Sequence, residues 1–96
     1  MSKIGTASIN STLHLVAVHD GVMKHFTRNS TGNWVERATI TPPEHLLFEY
    51  VDCSAVHDEL HVVLVTETGI IYHDILYGDG SWQGTNQLPI QPLLSE

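Results

Sequence analysis

The chain repeats itself, and that constrains the fold more than any local pattern does. Residues 13–34 read LHLVAVHDGVMKHFTRNSTGNW and residues 60–82 read LHVVLVTETGIIYHDILYGDGSW. With one extra residue in the second copy, near Thr68, eight of 22 aligned positions are identical, including His14/His61, His25/His73 and Trp34/Trp82. The offset is 47 before the insertion and 48 after it, and the chain has 96 residues. It is therefore one unit of two repeats, about 1–47 and 48–96. Met1 and the acidic Glu96 suggest a self-contained chain, although an excised or engineered fragment would look the same.

Each repeat reads as strands. Residues 13–19 and 60–66 are runs of β-branched and long apolar residues, closed by turn signals at Asp20-Gly21 and Thr68-Gly69. Residues 22–28 and 70–77 follow, ending at Ser30-Thr31-Gly32 and Gly78-Asp79-Gly80, whose glycines suit tight hairpins. Residues 34–39 and 82–88 supply a third strand, and residues 4–9 and 51–56 a strand before the first. Residues 4–9 could pair within their own chain or with a neighbour. Only residues 44–50, after Pro42-Pro43, have any helical character, and they are too few to cover a sheet.

Both faces of the central strands are apolar. One face of residues 60–66 shows Leu60, Val62 and Leu64, and the other shows His61, Val63 and Val65. A half-solvated sheet would alternate apolar with polar. Without helices, both faces need covering by other sheets, the condition of an inner strand in a β-propeller blade. A β-sandwich is the competing architecture, and it predicts more polar outer faces. The expected fold is thus all-β: two four-stranded antiparallel blades of a β-propeller. Two blades cannot close a ring of four to eight. Homo-oligomerisation would complete it, with a trimer of six blades expected.

Composition narrows the partners. Four Lys and Arg against eleven Asp and Glu give a net charge of −7, too little clustered positive charge for nucleic acid or an anionic membrane. No apolar run is long enough to span a bilayer, and the first 14 residues lack the apolar core of a signal peptide. A cytoplasmic location is the default expectation, with non-classical export still open. One cysteine excludes an internal disulfide, and Cys53 on an apolar strand reads as a core residue. The sequons at Asn10-Ser11-Thr12 and Asn29-Ser30-Thr31 read as polar loops.

The pattern L-H-x-V-x-V, then G-[VI]-[MI]-x-H, then x-G-x-W, resembles bacterial β-propeller lectin-type repeats, which often read LHVVAVTSDGRLWHTIRNADGSW. The likeness covers residues 13–34 and 60–82 and continues more weakly into 35–40 and 83–88. It implies blades with shallow sugar sites between them. Trimeric fucose lectins with two blades per chain give a precedent for closing a ring from short chains, without sharing these strings. One departure stands out: the aromatic expected before the histidine is Lys24 in the first repeat and Tyr72 in the second.

Candidate ligand-binding residues are therefore Trp34, Trp82, Tyr72, His25 and His73. The tryptophans either stack on a sugar or anchor neighbouring blades. The histidines either recur as hydrogen-bonding partners within the fold or reach a sugar hydroxyl at an inter-blade crevice. Seven histidines invite a metal reading, but no Cys/His set has zinc spacing, so no metal and no cofactor is expected. The acidic residues fall mostly in loops, and nothing opposes two of them across a pocket. The expected function is non-catalytic: carbohydrate binding between blades, with further copies of the chain and glycans as partners. The alternative is a scaffold or interaction module, or an engineered or fragment propeller, that self-associates with no small ligand.

Overall fold

The computed structural model describes residues 2–90, so Met1 and Glu96 lie outside the described residues. It is all-β: strands β1 (Ile4–Ile9), β2 (Thr12–His19), β3 (Val22–Arg28) and β4 (Trp34–Ile40) form one sheet, and β5 (Phe48–Val56), β6 (Glu59–Thr66), β7 (Ile71–Leu76) and β8 (Asn86–Gln87) form the other. Both are four-stranded antiparallel meanders, in the orders β1-β2-β3-β4 and β5-β6-β7-β8. Each repeat thus makes one sheet, and β1 pairs with β2 of its own chain.

Two expected elements differ. The strand expected over 82–88 is reduced to β8 and an isolated bridge between Leu76 and Trp82. Gly84, with a φ of 106°, interrupts it, and its N–H turns inward to donate to the Asp74 carboxylate at 2.9 Å. Residues 44–50 form no helix, because Phe48 already begins β5 and His45 takes a φ of 66°. The linker is pinned between two hairpins: Phe48 N–H donates to Gly21 C=O at 2.9 Å, and Glu67 N–H to Leu47 C=O at 3.0 Å.

The repeat is preserved in detail. Asn29 N–H bonds Asn33 C=O at 2.8 Å and Gly32 N–H bonds Asn29 C=O at 3.0 Å; the corresponding bonds at Tyr77–Ser81 and Gly80–Tyr77 are 2.8 and 2.9 Å. The side-chain contact is shifted by two residues: Asn29 accepts from Thr31, whereas Asp79, the counterpart of Thr31, accepts from Ser81. Gly32 and Gly80 supply the left-handed position, at φ 88° and 91°.

The sheets face one another and approach most closely at β1 and β5. A Cβ on Gly5 would lie 3.1 Å from Cys53 N and 3.2 Å from Cys53 Sγ, so a side chain here would have to push the strands apart by a few tenths of an ångström. The core lies between the sheets, with Gly5, Val16 and Met23 buried from the first, and Val51, Leu60, Val62, Leu64 and Tyr72 from the second. The faces used are unlike. The first sheet turns inward the face carrying His14, Val16 and His25; the second turns inward the opposite face and leaves His61, Val63 and His73 outside. A sandwich with two-fold symmetry would bury the same face of both repeats. Here they stack head to tail, and each sheet keeps apolar residues exposed on its outer face: Ile4, Leu13 and Trp34 on the first, Val56 and Val63 on the second.

Candidate functional site

The junction between the sheets opens at one end into a crevice of about 280 Å3. The first sheet lines it with Thr12, His14, Thr27 and Arg37, and the second with Asp58 and Tyr77. Strand alternation explains this set. Thr12 and His14 share the inward face of β2, and Thr27 lies opposite His14 on β3. Arg37 Nε donates to Thr27 Oγ1 at 2.8 Å, which fixes the guanidinium at the rim. Asp58 sits in the β5–β6 turn beside Gly78, where a Cβ would come within 2.5 Å of its Oδ2. A side chain at 78 would therefore displace the carboxylate from its place against this loop.

Behind the crevice lies a pair of imidazoles. His14 Nδ1 and His25 Nε2 are 2.9 Å apart, with the rings stacked at 5.1 Å. His25 is 3% exposed, and its Nδ1 is buried without a hydrogen-bond partner. Burial, reinforced by the nearby His14 and Arg37 charges, lowers its pKa to about 4. Burial lowers that of His14 as well. Both rings are thus neutral at pH 7. An orphaned N–H is costlier to bury than an orphaned lone pair. We therefore assign the His25 proton to Nε2, donating to His14 Nδ1, which leaves His14 protonated on Nε2.

The same pair recurs in the second sheet. His61 Nδ1 and His73 Nε2 are 2.9 Å apart and their rings stack at 5.1 Å. Here His61 Nε2 also meets Glu59 Oε1 at 2.9 Å. A carboxylate only accepts, so His61 carries its proton on Nε2 and His73 donates to it. Thr12 occupies the position of Glu59 in the first repeat. The two pairs differ in setting: one is enclosed between the sheets, the other lies on an outer face.

Of the residues singled out from the sequence, the structure brings His25 and Trp82 together, the indole meeting the imidazole edge-on at 5.5 Å and 83°. Tyr72 is buried and packs edge-on against Phe48, away from the crevice. His73 is part of the outer pair, and Trp34 stands 46% exposed on the first sheet. None of these five lines the crevice. Arg37, Asp58 and Tyr77 do, and the sequence hid them because they come from three separate elements: the middle of β4, the β5–β6 turn and the loop after β7. His14 was legible only as a residue repeated at His61; its contact with His25 came with the structure.

Two further groups are accounted for by structure. Asp74 is buried, with Oδ1 accepting N–H bonds from Ile75 at 2.8 Å and Gly84 at 2.9 Å; desolvation raises its pKa against these bonds. Asp79 has a lowered pKa because Ser81 donates to it through side chain and backbone. No cluster of three metal-ligating side chains occurs among the described residues. No protein-family model matches the chain, and no curated protein is similar enough in sequence to count as a relative.

Proposed function

We propose that the protein binds carbohydrate, and that the inter-sheet crevice is its sugar site. The crevice itself carries this reading: Arg37 and Asp58 face a common space from opposite sheets, with His14 and the Tyr77 ring beside them. A pyranose offers vicinal hydroxyls, which suit a guanidinium and a carboxylate, and an apolar C–H face, which suits an aromatic ring. Shallow sites of this kind are individually weak and gain from repetition.

The two sheets are read here as adjacent propeller blades. Their head-to-tail stacking and their close approach at the first strand of each support that reading, as does the likeness to lectin-type repeats. A ring of three copies would then display the crevice three times. Trp34, Trp82, Tyr72, His25 and His73 act on this view as the frame of the blades; Trp34 is the one free enough to reach a ligand in an isolated chain.

A glycan array with the wild-type chain and the Arg37→Ala and Asp58→Ala variants tests the proposal. Binding that falls tenfold or more in both variants, with the fold intact by circular dichroism, upholds it. An array without signal, or one unaffected by either substitution, removes the sugar site and leaves a self-associating interaction module.

A further inference from the structure

Five pairs of repeat-related residues differ sharply in exposure. Val16 is fully buried between the sheets, whereas its counterpart Val63 is 38% exposed. Leu60 is fully buried and Leu13 is 37% exposed; Val51 is 2% and Ile4 56%; Ile9 is 8% and Val56 45%. Trp82 packs against the core, and Trp34 is largely free. Every exposed member lies on an outer face. The outer face of the second sheet carries Val56, Val63 and His73, the counterparts of Ile9, Val16 and His25. The outer face of the first carries Ile4, Leu13 and Trp34, the counterparts of Val51, Leu60 and Trp82. The two free faces are thus the two halves of a junction that this chain already makes once with itself.

We propose that the outer face of the second sheet docks a second copy of this chain through the outer face of that copy's first sheet, setting the second copy's Trp34 on His73 as Trp82 is set on His25. The inference rests on the head-to-tail reading of the sheets and not on sugar binding. Sequence identity at both contact partners, Trp34/Trp82 and His25/His73, favours a copy of the chain over an unrelated partner.

The same docking completes a second crevice. Arg28, Asn29, Ser30 and Gly32 line a shallow depression on the first sheet and stand where Leu76, Tyr77, Gly78 and Gly80 line the existing crevice. Glu59 and His61 stand where Thr12 and His14 stand in the opposing wall. In the existing crevice the cation, Arg37, comes from the first sheet and the acid, Asp58, from the second. In the new one the acid, Glu59, comes from the second sheet of one copy and the cation, Arg28, from the first sheet of the next. Charge complementarity across the junction is kept, while the aromatic Tyr77 is replaced by Asn29. Assembly therefore generates two chemically distinct classes of site, and the second does not exist in a single chain.

The test is light scattering on the wild-type chain, on Leu13→Arg, on Val63→Arg and on their equimolar mixture. Leu13→Arg blocks the first-sheet face and Val63→Arg the second-sheet face. The wild type is expected at a multiple of 10.7 kDa and each variant as a monomer. The mixture retains one working junction and is expected as a pair of about 21 kDa, twice 10.7 kDa. A monomeric wild type overturns the proposal, as does a variant that keeps the wild-type mass. Two monomeric variants that fail to pair on mixing also overturn it, because a junction of unlike faces must be rescued in this way. Ile4→Arg and Val56→Arg form a second blocking pair should either first variant fail to fold. Trp34→Ala is expected to weaken association at least tenfold. Assembly without array binding would refute the sugar site alone, and array binding by a monomer would refute the junction alone.

Discussion

Trp82 of the second sheet sets its ring edge-on against His25 of the first, at 5.5 Å and 83°, while Trp34, the same residue of the other repeat, is 46% exposed. One repeated tryptophan therefore serves as an anchor and the other stands free. The difference follows position in the stack, since the loops that lead into the two tryptophans close with the same backbone hydrogen bonds.

This asymmetry predicts unequal costs of truncation. Trp82→Ala removes an aromatic packed against the core and is expected to destabilise the chain by about 2–3 kcal/mol. Trp34→Ala should change the stability of the single chain by less than about 0.5 kcal/mol. Urea unfolding of both variants at a dilution where the chain is monomeric compares them directly.

His25 makes stability depend on pH. Its pKa is about 4 in the folded chain and 6.5 as the ordinary value, so between these limits the unfolded chain binds the extra proton. Stability is then complete above pH 6.5 and is lost progressively as the pH falls towards 4. The loss is on the order of 2–3 kcal/mol from this residue, and the lowered pKa of His14 acts in the same direction. Urea midpoints measured from pH 7 to pH 4 should fall accordingly. His25→Gln is expected to be less stable at pH 7 but to show a flatter profile.

Gly5 sets the closest approach of the sheets. Gly5→Ala places a methyl group 3.1 Å from Cys53 N and 3.2 Å from Cys53 Sγ, and should cost about 1–3 kcal/mol. Adding Cys53→Ala relieves the sulfur contact but leaves the backbone one. A double-mutant cycle is therefore expected to show partial rescue, and complete rescue would mean that the backbones are free to separate.

Cys53 should be an unreactive thiol. Burial, assisted by the Asp52 carboxylate, raises its pKa from 9.0 to about 11. At pH 8 that leaves about a hundredfold less thiolate than an ordinary cysteine would have. Modification by a disulfide reagent should be slower by at least this factor and should reach the ordinary rate in urea.

The strand content was legible because it depends on local pattern. Residues 4–9 and 22–28 coincide with β1 and β3, since alternation and the flanking Asn10-Ser11 and Asp20-Gly21 turns act over a few residues. The strand over 82–88 was over-read because its pattern holds no sign of the inward turn by which Gly84 reaches Asp74, a contact made across ten residues. Cys53, read from its apolar strand as a core residue, is half-buried and packs against the edge of the core.

By itself the sequence determined two equivalent antiparallel units, the positions of their turns and the recurrence of a histidine pair and a tryptophan in each. These follow from periodicity and turn chemistry, which are encoded within one repeat. Only the tertiary structure decided which copy of each residue is enclosed. It put His25 inside and His73 outside, seated Trp82 and left Trp34 free, and gathered Arg37, Asp58 and Tyr77 around one crevice. The physical reason is that two like patterns stacked head to tail share a single junction, so opposite faces are buried, and the apolar pattern common to both repeats does not say which copy is enclosed.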